Sequence, residues 1–132
     1  MILFMQNMTK PYILVFDIEH ESQKIIQISG IIVEHLGNNL YQICRSINIY
    51  IKDNIIPSIF VQQYTNITFD FLTQYGVKLE KAQRQWKDFL QPFKKDDLLV
   101  VSHGIFQDSI IMRNNGFAID DYEQWCTYNM AK

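Results

Sequence analysis

The sequence predicts an α/β domain built on a mixed sheet. Three apolar, strand-length segments, residues 12–17, 24–34 and 40–51, follow one another with only turns between them. A helical stripe and a fully apolar short run come next, and a second helix-strand pattern closes the chain. With 132 residues, of which 48% are hydrophobic and 14% aromatic, the chain has the material for one domain with one substantial core. Residues 1–10 read as an N-terminal extension, with Met8 an alternative start, and residues 11–132 as the domain.

Each element has its own signal. Pro11 precedes the first strand, Tyr12-Ile13-Leu14-Val15-Phe16-Asp17. The second strand is isoleucine-rich and is closed by Gly37-Asn38-Asn39, a hairpin signal. The third alternates Tyr41, Ile43, Arg45, Ile47 and Ile49 with Gln42, Cys44, Ser46, Asn48 and Tyr50, so one face should be packed and the other partly wet. Pro57 breaks that pattern. Leu79, Ala82, Trp86, Phe89 and Leu90 fall at helical spacing before Pro92 and supply a stripe that would lie on the sheet. Leu98-Leu99-Val100-Val101-Ser102 has the composition of a buried strand. Residues 108–115 read as a helix with Gly116 as its left-handed cap, and residues 124–129 as a last strand.

Charge and cysteine content narrow the function classes. Twelve Lys and Arg against 14 Asp and Glu give a net charge of -2, which excludes a strongly basic nucleic-acid coat but leaves metal-bridged phosphate binding open. Cys44 and Cys126 lie far apart without a CxxC spacing, so neither a thiolate metal site nor a disulfide framework is indicated, and a reducing cytoplasm fits. Met1 to Met5 is apolar but too short to span a membrane, and it lacks the pattern of a secretory signal. No membrane association is expected.

Asp17 and Glu19 are the residues with the clearest chemistry. Spaced i, i+2 on a strand, they point to one face, where their mutual repulsion favours a divalent cation between them. Magnesium and manganese prefer such hard oxygen ligands. The plainer alternative is a strand end with two solvated acids.

Five segments taken in order resemble the DEDD superfamily of 3′-to-5′ exonucleases, the DnaQ-like group. Phe16-Asp17-Ile18-Glu19 looks like the family's first motif, and Ile25 to Gly30 is similar to the strand that follows it. Ile67-Thr68, ahead of Phe69-Asp70-Phe71-Leu72, resembles the segment before the first helix. Val101-Ser102-His103-Gly104-Ile105-Phe106-Gln107-Asp108 looks like the second motif, with Gly104 where the family usually has asparagine. The segment from Trp125 to Lys132 resembles the next strand.

The resemblance implies a ribonuclease H-like fold and hydrolysis of single-stranded DNA or RNA from the 3′ end, with two Mg2+ or Mn2+ ions. Asp17, Glu19 and Asp108 would be the catalytic carboxylates and the metal ligands. With three acids, one ion would be held by Asp17 and Asp108 with Glu19 assisting, and the second weakly. The family's third motif, a histidine or tyrosine and an aspartate on a final helix, has no counterpart. The sequence stops before that helix could begin, so a truncated domain is expected. Assigning His103 and Asp108 to the third motif instead would leave no second-motif aspartate.

Two functions follow: an exonuclease completed by a segment outside these residues, or an inactive exonuclease-like domain that binds nucleic acid or a protein. An uncovered sheet flank would also favour a homodimer. The other conspicuous residues have simple roles. His103 reads as a hydrogen-bonded structural residue rather than the base, and His20 and Glu21 as solvated loop or substrate-facing residues. Trp86 and Phe89 read as core, and Lys94-Lys95-Asp96-Asp97 as a solvated turn. Ile55-Ile56-Pro57 with Phe60 is either loop packing or part of a nucleotide wedge.

Overall fold

The computed structural model describes residues 10–53 and 55–127. Five strands form one sheet in the order β3-β2-β1-β4-β5. They are β1 (Tyr12–Glu21), β2 (Lys24–Gly37), β3 (Leu40–Tyr50), β4 (Leu98–Ser102) and β5 (Glu123–Cys126). The helices are α1 (Ile59–Thr65), α2 (Phe69–Tyr75), α3 (Leu79–Leu90) and α4 (Ile105–Asn114). β1, β2 and β3 pair antiparallel, whereas β4 runs parallel to β1 and β5 parallel to β4. This is the mixed α/β sheet that the order of sequence patterns predicts.

Alternation along β1 sorts its residues between two faces. Leu14, Phe16 and Ile18 enter the main core with Ile28, Ile32 and Ile49 from the neighbouring strands, Trp86 and Phe89 from α3, and Ile111 and Met112 from α4. Ile13 and Val15 join Leu99 and Val101 in a smaller cluster on the other face. β4 is buried along its whole length, as its apolar run requires between two parallel neighbours. The stripe on α3 is buried as its spacing predicts, and Arg45 satisfies the end of that helix. Its guanidinium donates to the Phe89 carbonyl at 3.1 Å and lies 5.3 Å from the Phe89 ring centre.

Three elements differ from the sequence reading. β1 continues four residues past Asp17 to Glu21, because Ser22 and Gln23 adopt φ of 50° and 67° and fold β2 back on it. Two successive positive φ angles suit a tight hairpin, but here neither residue is glycine or asparagine, so no turn signal marked it. β3 contains a register shift opposite Ile32 and Val33 that reverses its alternation. Arg45, Ile47 and Ile49 therefore face the packed side, while Ile43 is 63% exposed. Finally, α4 begins at Ile105, three residues before Asp108. Its end follows expectation: Gly116 has φ of 82°, its N–H donates to the Arg113 carbonyl, and the Phe117 N–H to that of Met112. The predicted last strand is seen as Glu123–Cys126; residues 128 and 129 lie outside the described residues, as does nearly all of the expected extension.

Candidate functional site

The parallel pair β1 and β4 sets the site. Val15 pairs with Val101, so Asp17 stands level with the point where β4 ends and the chain turns through His103 and Gly104 into α4. The carboxyl ends of parallel strands are the usual ligand-binding edge of α/β sheets. Asp17 is exposed there and Glu19 partly buried, both on the face opposite Phe16 and Ile18. Asp108 comes from the first turn of α4, which packs on the Phe16 face, and it lies near enough to Asp17 for that charge to act on it.

The charge of Asp17 acts on both Glu19 and Asp108. Burial first, and then the charge of Asp17, push the Glu19 carboxyl above its ordinary range, with the neighbouring His20 acting in the opposite sense. Burial also raises Asp108, the Ser102 hydroxyl that donates to its Oδ2 opposes this, and the charge of Asp17 raises it further. Among the described residues, no three His, Cys, Asp or Glu side chains stand close enough together to hold an ion. Carboxylate oxygens are the hard donors a divalent cation takes, and Asp17, Glu19 and Asp108 are the residues here that could hold one.

The residues around the acids are fixed locally. His20 Nδ1 accepts from the Gln23 N–H at 3.2 Å and so braces the hairpin. Glu21 Oε2 accepts from the Ser58 N–H at 3.1 Å, tying the start of α1 to the end of β1. His103 Nδ1 lies 3.0 Å from Thr127 Oγ1, and the Cys126 thiol donates to the His103 carbonyl, so this histidine is held by hydrogen bonds as the sequence reading expects. Ser102 had no signal as a functional residue; it ends an apolar strand and is marked only by standing six residues before Asp108. A shallow groove of about 450 Å3 leaves Asp17 across the same face of the sheet, lined by Gln27, Ser29, Ser46 and Asn48. Phe106, two residues before Asp108, is 74% exposed. On α1, Phe60 and Tyr64 are 74% and 81% exposed, and their rings stack at 6.2 Å.

Searches with this geometry find exonuclease I structures. Over 93% of this chain, Escherichia coli exonuclease I in complex with a 5cy-dT13 oligonucleotide superposes with a TM-score of 0.69 at 15% identity. A product-bound exonuclease I gives 0.70 over 93% of the chain at 15% identity, and the moderately thermophilic exonuclease I from Methylocaldum szegediense gives 0.65 over 91% at 13%. The fold is ribonuclease H-like. The chain spans less than a third of the length of these structures, 29%, 31% and 28% respectively. No family model matches the sequence, and no curated protein does. Among the described residues of this ribonuclease H-like domain, no helix is long and apolar enough to cross a membrane.

Proposed function

We propose that this chain is a metal-dependent 3′-to-5′ exonuclease-like domain that acts on single-stranded nucleic-acid ends, with Asp17, Glu19 and Asp108 as its metal-binding carboxylates. The observation that supports the proposal is that Asp17, beside the carboxyl end of β4, lies near enough for its charge to act on both Glu19 and Asp108. Asp17 and Asp108 would hold one Mg2+ or Mn2+ ion, with Glu19 beside it. When bound, the ion supplies a water-derived nucleophile and neutralises phosphate charge.

The chain's own residues do the positioning. Ser102, by donating to Asp108 Oδ2, fixes that carboxylate and leaves its other oxygen for the cation. The polar groove beside Asp17 offers amide and hydroxyl donors to a sugar-phosphate backbone. The exposed rings of Phe60 and Tyr64, on the helix tied to Glu21, and of Phe106, two residues before Asp108, are surfaces on which unpaired bases would stack without discrimination between bases. This route to nucleic acid needs no basic patch, in keeping with the net charge of -2.

The absence of a three-ligand cluster among the described residues favours a second reading, in which the domain binds single strands without cleaving them. A 3′-labelled single strand incubated with the purified chain in manganese separates the two. The first reading expects stepwise shortening from the 3′ end that Asp17→Asn abolishes. Retention of intact strand on the protein, unchanged in Asp17→Asn, supports the second, and neither cleavage nor binding overturns both.

A further inference from the structure

We infer a second binding site, remote from the acids, for a small planar aromatic anion. It is a groove of about 710 Å3 between α3 and the segment that joins α4 to β5. Phe93 and Lys95 on its wall precede the start of β4, whereas Asp17 and Asp108 stand beyond the other end of that strand. A ligand here cannot touch the proposed nuclease centre.

The lining specifies the ligand. Trp86, Phe93, Phe117 and Tyr122 give an aromatic floor, and the volume falls in the range of sites for small organic molecules. Trp86 is 3% exposed, and its indole N–H is buried with no hydrogen-bond partner. The Trp86 ring thus closes the bottom of the groove from the core side and reports on what enters it. At the rim, Arg84 and Lys87, three residues apart on α3, make no ion pair among the described residues, whereas Lys95 is already bonded to Asp121 at 2.7 Å. Glu80, one turn before Arg84, is the acid that remains on that wall. An aromatic floor and a rim on which Arg84, Lys87 and Lys95 outnumber Glu80 and Asp121 fit an aromatic carboxylate or sulfonate better than a neutral or cationic ring.

The test uses the full chain with 8-anilinonaphthalene-1-sulfonate as the anionic probe and N-phenyl-1-naphthylamine as its neutral counterpart. The expected result is saturable one-to-one binding of the sulfonate, with the neutral probe held more weakly. The double variant Arg84→Ala/Lys87→Ala alters exposed residues and should leave the melting curve in place, yet weaken the sulfonate roughly ten-fold. In an NMR titration the indole N–H signal of Trp86, assigned through Trp86→Phe, should shift with the same affinity. Ala118→Trp, which fills the groove from an exposed position, should abolish binding. Equal affinity for the two probes, indifference to the double variant, an unmoved Trp86 signal, or no binding at all would overturn the assignment.

Discussion

At the scale of single residues, Asp108 is the most informative. Its carboxyl is raised by burial and by Asp17, so between the ordinary value of 3.8 and its raised value the folded chain binds more protons than the unfolded one. Stability attributable to this group is therefore highest in acid and falls as pH rises through that window. Asp108→Asn keeps an acceptor for Ser102 and removes the charge, so it should melt above the wild type at neutral pH, with the difference vanishing below the ordinary carboxylate range. A variant that melts lower at neutral pH would mean that the charge is already compensated. Gly116 tests the backbone instead. With φ of 82° and a would-be Cβ 2.3 Å from Gln83 Nε2, Gly116→Ala must strain the helix end and displace Gln83 from the Asn115 carbonyl. A loss of about 1–2 kcal/mol in denaturant unfolding is expected.

At the scale of elements, burial separates α1 from α3. None of the residues of α1 is buried, and its ties are the Ser58 cap and the Glu21 hydrogen bond, whereas α3 buries Ala82, Trp86, Phe89 and Leu90. Amide exchange in α1 should thus be nearly unprotected while β1 and β4 exchange only on global unfolding. In the same spirit, Trp86→Ala should destabilise by about 3–5 kcal/mol, and Phe60→Ala by less than about 0.5 kcal/mol. Protection of α1 equal to that of β4 would contradict this picture. The same contrast explains what was legible in the sequence. Long apolar periodicity reports burial, so α3, β4 and the three leading strands could be read directly. α1 gave no stripe because it packs on the core through Val61 and buries no residue fully, and the Ser22-Gln23 turn carried none of the residues that usually take positive φ. The register shift that exposes Ile43 is set by pairing with β2, which no single segment encodes. For the site, the i, i+2 spacing of Asp17 and Glu19 was visible, but the contribution of Ser102 depends on how α4 meets the end of β4.

At the scale of the whole molecule, the fold sets Asp17 near enough to Glu19, and to Asp108 from a distant part of the sequence, for its charge to act on both, with only partial compensation. Asp17 is exposed, Glu19 and Asp108 are both raised in its field, and the partial compensation comes from His20, His103 and Ser102 rather than from a lysine or arginine. A cation that binds only the folded arrangement must therefore stabilise it, by RT ln(1 + [M]/Kd), or about 2.7 kcal/mol at a hundred times Kd. Because the three carboxylates are not drawn into one coordination cluster, the affinity should be weak, with the melting temperature rising only at millimolar Mg2+ or Mn2+. Asp17→Asn should remove that rise, since Asp17 is the charge that both other acids sense. Weak metal occupancy also predicts slow hydrolysis. Calorimetric melting across a metal series, run beside the strand-shortening assay, links the two: each should appear over the same metal range and disappear in Asp17→Asn. A melting curve indifferent to both metals, together with strand shortening that survives Asp17→Asn, would place the nuclease activity on groups other than Asp17, Glu19 and Asp108.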